Sequence, residues 1–235
     1  MRRFLSAPIA LLLFAVAFPE SAFAGSIVNG GFEVPHLTDG TQYITFGPGS
    51  EPAGFGWSVT SGNVNVVAGG GIYITAFAGT QWLDLDGGTA GTIQQSFATT
   101  PGTVYSLSFA YANNPVAGTV PATATVSLFN AENNEHLLTP ITISHSTSSS
   151  SDPDWIQSPV IQFTAVGALT TLSFASDDPA GSLGGIALDG INVNSVPEPS
   201  AVVLMVIGIA ALFGLRISRI EPSAASSPAG RSKES

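Results

Sequence analysis

The chain has 235 residues, 16 Asp and Glu against 6 Lys and Arg, a formal charge of −10, three histidines and no cysteine. The basic residues are Arg2, Arg3, Arg216, Arg219, Arg231 and Lys233, so residues 25–215 carry no fixed positive charge. This argues against nucleic-acid binding, which needs Lys or Arg on phosphate, and excludes disulfides, thiolate metal sites and a cysteine nucleophile.

The N-terminus carries an export signal. Arg2 and Arg3 form a positive n-region, residues 4–18 an apolar h-region, and Ala22-Phe23-Ala24 an A-x-A cleavage site. A signal peptide over residues 1–24 is therefore predicted, with the mature chain starting at Gly25. Residues 25–195 then form one domain, long enough to bury a core. Export places it in an oxidising compartment, yet it uses no disulfide. A surface without cations suits neutral sugars and calcium. It suits acidic polysaccharides only through a bridging metal.

The domain reads as strands and turns throughout, with no sustained 3.6-residue apolar period. Period-2 alternation and β-branched runs predict strands at 56–60, 64–68, 81–86, 92–98, 103–112, 122–129, 155–164, 169–175 and 186–193. An antiparallel sandwich follows. In 103–112, Tyr105, Leu107, Phe109 and Tyr111 should face the core. Leu172 and Phe174 share a face of 169–175, with Ala165-Val166-Gly167-Ala168 as the turn before them. Pro101-Gly102 is a compact turn. Residues 113–121 and 144–154 are long connections, and Ser148-Ser149-Ser150-Ser151 reads as a mobile surface loop.

Within 81–86, alternation puts Trp82, Asp84 and Asp86 on one face and Leu83 and Leu85 on the other. If the leucines take the core, an indole and two carboxylates face outward. Sugar sites use that pairing, the ring face for stacking and the carboxylates for hydroxyls. The competing reading is that a loop covers Trp82 and the aspartates are merely solvated. Trp57 and Trp155 are expected in core or loop-anchoring positions. Catalysis is not expected. Asp84 and Asp86 are adjacent on one strand rather than opposed across a cleft. His36, His136 and His145 are scattered, and no HExxH, G-x-S-x-G or phosphate-loop pattern occurs.

The C-terminus holds Pro197-Glu198-Pro199, then an apolar run over 201–215, then Arg216 and Arg219. As a helix the run spans about 22 Å, short of a bilayer core of about 30 Å. Gly208 and Gly214 lower its helix propensity. A transient span fits better than a permanent one. This stretch, 196–219, resembles the PEP-CTERM sorting signal of Gram-negative bacteria. The resemblance implies processing near the motif by a membrane protease-transpeptidase, exosortase, with membrane contact through 201–215. The spaced arginines and the polar tail at 220–235 depart from that pattern, and an unprocessed C-terminal anchor is the alternative.

Six stretches of the domain resemble the choice-of-anchor C family, related to plant cell-wall proteins of unknown function. They are Asn29-Gly30-Gly31-Phe32-Glu33, residues 56–64, Leu83-Asp84-Leu85-Asp86-Gly87, Ile93-Gln94-Gln95-Ser96-Phe97, Pro101-Gly102-Thr103-Val104-Tyr105, and residues 187–193. The resemblance implies a jelly-roll, galactose-binding-like sandwich with its first and last strands close together. It also implies a structural Ca²⁺ held by Glu33 and Asp189 with the Gly31 carbonyl; calcium takes about 6–8 oxygen ligands. The bland alternative is that Glu33 caps a turn and Asp189 satisfies backbone amides. The expectation is an exported, exosortase-processed surface or matrix protein that binds extracellular polysaccharide. A structural or adhesion protein without a sugar pocket is the alternative.

Overall fold

A computed structural model describes residues 26–197 except 117 and 119, together with Gly208. The chain divides into two units, 1–194 and 195–235, and the sandwich lies in the first. The predicted signal peptide, Glu198 and Pro199 of the sorting motif, and the apolar run apart from Gly208 lie outside the described residues. Among the described residues no helix is long and apolar enough to cross a membrane.

Among the described residues twelve strands occur: β1 (Tyr43–Phe46), β2 (Ser58–Ser61), β3 (Val64–Ala68), β4 (Gln81–Asp84), β5 (Thr92–Ala98), β6 (Val104–Asn113), β7 (Ala122–Asn130), β8 (Ile141–His145), β9 (Ile156–Gln157), β10 (Ile161–Thr164), β11 (Leu169–Ser176) and β12 (Ile186–Ser195). They build a sandwich of the jelly-roll type. One sheet runs β1-β3-β4-β12-β6-β10 with β9 also on β6, and the other β2-β5-β11-β7-β8. The registers are antiparallel, for example Phe174 opposite Ile93 on one side and Val126 on the other.

The core between the sheets follows from alternation. Leu83, Leu85, Tyr105, Leu107, Phe109 and Leu188 meet Ile93, Phe97, Leu128, Leu172 and Phe174, all buried. Tyr111 packs against the same core, partly buried. Phe109 and Phe174 make an edge-on contact at 5.1 Å, a favoured aromatic geometry.

Two strands, β1 and β8, were not among the predicted ones. The predicted 155–164 strand is split in two. Pro159 has no N–H to donate to β6, so the ladder breaks there. Ser158 bridges the gap, donating its N–H to the Phe109 carbonyl and accepting the Phe109 N–H on Oγ. The predicted 81–86 strand ends at Asp84, and Asp86 sits in an isolated bridge with Ala90. Ser148 is tied down rather than free: its N–H donates to Asn113 Oδ1 and its hydroxyl to the Pro153 carbonyl.

The first and last segments lie together. The Ile191 N–H donates to the Gly30 carbonyl at 2.9 Å. A Cβ on Gly30 would stand 2.0 Å from the Ile191 carbonyl oxygen, so only glycine fits.

Candidate functional site

The outer face of the seven-stranded sheet is not bare. A second apolar cluster of Val67, Ile74, Trp82, Ala112 and Ala187 lies on it, with Tyr73, Ala76 and Trp155 packed against it. A strap, residues 69–80, folds back over the sheet to cover this cluster. Its ends meet where the Gly69 N–H donates to the Thr80 carbonyl, and a turn forms where the Gly70 N–H reaches the Ile74 carbonyl. A Cβ on Gly69 would come within 2.7 Å of the Ala76 nitrogen, which explains a glycine there. Two indoles hold the strap: Trp82 Nε1 donates to the Ile74 carbonyl and Trp155 Nε1 to the Thr75 carbonyl.

The strap corrects one expectation. Trp82, Asp84 and Asp86 do not form an outward-facing row, since all three are 0% exposed. The strap covers Trp82, as the competing reading had it, but the aspartates are buried rather than solvated. Alternation did set Trp82 and Asp84 opposite Leu83, yet that face is covered. Trp82 is a strap anchor. Asp84 accepts from Asn114 Nδ2 at 2.7 Å, the Gly185 N–H at 2.9 Å and the Asp86 N–H at 3.0 Å. Burial drives its carboxyl up to about 7, against the opposing pull of those bonds, with the Asp86 charge adding to the rise. Burial also raises the Asp86 carboxyl.

Glu33 and Asp189 clamp the far end of the strap. Glu33 Oε1 accepts the N–H of Thr80 and of Gln81, and Oε2 accepts the Thr80 hydroxyl. Asp189 Oδ2 accepts the Ala78 N–H and Oδ1 its neighbour Gly190. Burial pushes the Asp189 carboxyl up to about 6 despite these bonds, and the Glu33 charge adds to it. Gly31 stands beside them; a Cβ there would lie 3.6 Å from Asp189 Oδ1. Those bonds are what the bland alternative expects, Glu33 capping a turn and Asp189 satisfying backbone amides. Each carboxylate keeps lone-pair directions in which the expected Ca²⁺ could be accepted. No group of three or more His, Asp or Glu suited to a metal occurs among the described residues.

Beside the strap opens a pocket of about 210 Å³, lined by Tyr43, Asn65, Val67, Tyr73, Gly87, Asn114, Val116 and Leu183. The Tyr43 and Tyr73 rings meet edge to face at 6.4 Å, and Tyr73 leans in turn on Trp82. Tyr43 is 48% exposed. Asn65 comes from β3 and accepts the Thr45 hydroxyl. Asn114 follows β6 and is fixed by Asp84 and by the Val116 N–H. Burial raises the Tyr73 hydroxyl pKa, and Tyr43 and Asp84 add to it. Sequence reasoning missed this pocket, because strap and strands meet there from separate parts of the chain. The one available signal was Tyr43 in the alternating run before Phe46. A larger cleft of about 510 Å³ lies along Val104, Glu135, His136, Leu137, Leu138, Gln162, Phe163, Thr164 and Val166. It presents no Tyr or Trp face, and its Phe163 is stacked on Tyr105 in the core.

Comparison with solved structures finds distant likenesses. One is a family 35 carbohydrate binding module from Clostridium thermocellum, with 13% identity over 66% of this chain and all of that one and a TM-score of 0.41. Another is TmCBM61 in complex with beta-1,4-galactotriose, with 11% identity over 72% of this chain and 96% of that one and a TM-score of 0.43. A third is the CBM22-1 xylan-binding domain from Paenibacillus barcinonensis Xyn10C, with 16% identity over 65% and 93% and a TM-score of 0.41. No curated protein matches. A family model described as "Protein of unknown function (DUF642)" matches residues 25–192, which is most of the chain, and the protein belongs to that family.

Proposed function

We propose that this protein binds neutral extracellular polysaccharide in the pocket beside the strap. The observation that carries this reading is the Tyr43–Tyr73 pair standing next to Asn65 and Asn114. A sugar ring has an apolar C–H face and a polar rim. The half-exposed Tyr43 ring offers a surface for the face, while amides and tyrosine hydroxyls suit the rim. No fixed cation lies between residues 25 and 215, so the pocket selects uncharged rather than acidic units. Trp82 and Asp84 serve this site from beneath, Trp82 by packing on Tyr73 and Asp84 by accepting from Asn114.

The test is a glycan array probed with the full chain and with its Tyr43→Ala and Tyr73→Ala variants. Neutral glycans should bind, and each variant should weaken binding by about tenfold, the loss of roughly 1.4 kcal/mol. Wild-type signal at background, or variants that bind as well as wild type, would overturn the reading. In that case the exposed Ile44, Ile72 and Phe77 favour the second reading, a structural or adhesion role through protein contacts.

Export by the signal peptide, membrane contact through 201–215 and exosortase processing at Pro197-Glu198-Pro199 complete the proposal. Together they place the domain at the cell surface or in the matrix of a Gram-negative bacterium. They rest on the sequence signals. In cells lacking exosortase the protein should keep its C-terminal segment and run larger on a gel. Equal size in both strains would mean an ordinary anchor.

A further inference from the structure

We infer that Asp86 and Asp178 hold a hard divalent cation of the calcium class, at the end of the sandwich where the segments after β4 and β11 meet the start of β12. The site is separate from Glu33 and Asp189. Asp86 is 0% exposed and neither of its carboxylate oxygens has a hydrogen-bond partner. Asp178 is buried too. Its Oδ1 accepts the N–H and the hydroxyl of Thr123, but its Oδ2 has no partner. The two carboxylates converge over Gly185. A methyl group placed there would stand 2.7 Å from Asp86 Cγ, 2.8 Å from Asp86 Oδ2 and 3.1 Å from Asp178 Oδ2.

Orphaned carboxylate oxygens in a buried position are costly, because the charge has lost water and gained nothing. Such groups take up a proton or a cation. Burial raises both carboxyls, and the Asp178 charge raises Asp86 further. Protein cations cannot neutralise them, since the domain has no Lys or Arg. Asp84, close by, is already bonded to Asn114, Asp86 and Gly185, so it adds negative field without adding an orphan. Neutral oxygens complete the set. The Ser176 and Ser182 hydroxyls and the Gly91 N–H stand close enough to Asp86 to pull its pKa back down, without a well-formed bond to it, and Asp86 does the same for Asp178. An all-oxygen set with two carboxylates is the chemistry of calcium rather than of zinc or copper. The ion would also fix the segment from Asp178 to Gly185, which carries Leu183 to the wall of the pocket; that consequence rests on the polysaccharide reading, the ion site does not.

The experiment is calcium titration calorimetry on the full chain, stripped with chelator and held at mildly alkaline pH. Wild type should bind, and Asp86→Asn and Asp178→Asn should each show one site fewer or one weakened by about tenfold or more. Glu33→Gln and Asp189→Asn should keep this site. Asparagine at 178 can still accept from Thr123 through Oδ1, so that variant decides the matter if Asp86→Asn fails to fold, as circular dichroism would show. No calcium binding by wild type at millimolar concentration would mean that the carboxyls share a proton instead. Isotherms unchanged in Asp178→Asn would likewise overturn the proposal. Neither result depends on whether any glycan binds.

Discussion

Glu33 and Asp189 sit at one corner of the sandwich, and between them they accept the N–H groups of Ala78, Thr80, Gln81 and Gly190. Asp86 and Asp178 sit where Thr123 supplies the only well-formed backbone bond, and three of their four oxygens have no such partner. Both pairs set like charges together, the second wholly buried and the first with Asp189 buried and Glu33 partly so, and neither has a basic residue nearby in sequence. The difference is the supply of backbone donors. Where an irregular strap passes, its amides can neutralise a carboxylate in place of a cation. Where regular strands end, their amides are already committed to the ladder, and the carboxylate is left to find a proton or an ion. The same residue type thus becomes a clamp in one place and a vacant acceptor in the other.

The largest effect that would sharpen this contrast is on Asp84, the fully bonded member of the acidic end. Asp84→Ala leaves Asn114 Nδ2 and the N–H groups of Gly185 and Asp86 without an acceptor. It should cost about 3 kcal/mol or more in denaturant unfolding. A loss near zero would mean these donors find water, and the contrast with the strap corner would collapse.

A middle-sized effect is pH. The carboxyls of Asp84 and Asp189 are raised to about 7 and about 6, from 3.8, both chiefly by burial. Folding therefore takes up protons, and the stability this contributes is complete below the unfolded pKa of 3.8. It is lost as pH rises through about 6 and then about 7. In chelator the melting temperature should fall between pH 4 and pH 8. A melting temperature that rises over that window would show that the buried carboxyls are ionised in the native state.

The smallest effect is calcium at the strap corner. With a Kd near roughly 0.1–1 mM, millimolar calcium contributes about 0.4–1.4 kcal/mol. A modest rise in melting temperature, reversed by chelator, is expected. Glu33→Gln and Asp189→Asn should each remove part of it, and Asp152→Asn, on the exposed Ser-rich loop, none. If the strap-corner variants respond to calcium as wild type does, that corner is a clamp of amides alone.

Much of the sandwich was legible in the sequence. The run 92–98 alternates cleanly and is β5 to the residue. Tyr105, Leu107 and Phe109 alternate with smaller residues and do face the core. The closeness of the first and last segments followed from family resemblance, and Gly30 and Ile191 bear it out. The site was harder. Trp82 and Asp84 were placed on the correct side of β4, but nothing in a Gly-rich, aperiodic run such as 69–80 announces that it folds back over a sheet. Alternation also fails where a strand ends, so Asp86 could not be followed past Asp84. Asp178, after the last residue of β11, gave only an Asp-Asp-Pro turn signal, which in isolation reads as solvated surface.

Pro159 has a consequence beyond local pairing. It lies on the outer boundary of the seven-stranded sheet, where β9 and β10 are two short pieces and Ile156 and Val160 are 39% and 65% exposed. An unbroken apolar border strand of that kind is a template on which another copy could lay down a strand of its own. The missing N–H and the offset at Ser158 interrupt that template midway. In a domain rich in β-branched residues and without Lys, the usual guard of exposed borders, this one border is interrupted by an imino acid where elsewhere a row of charges would stand.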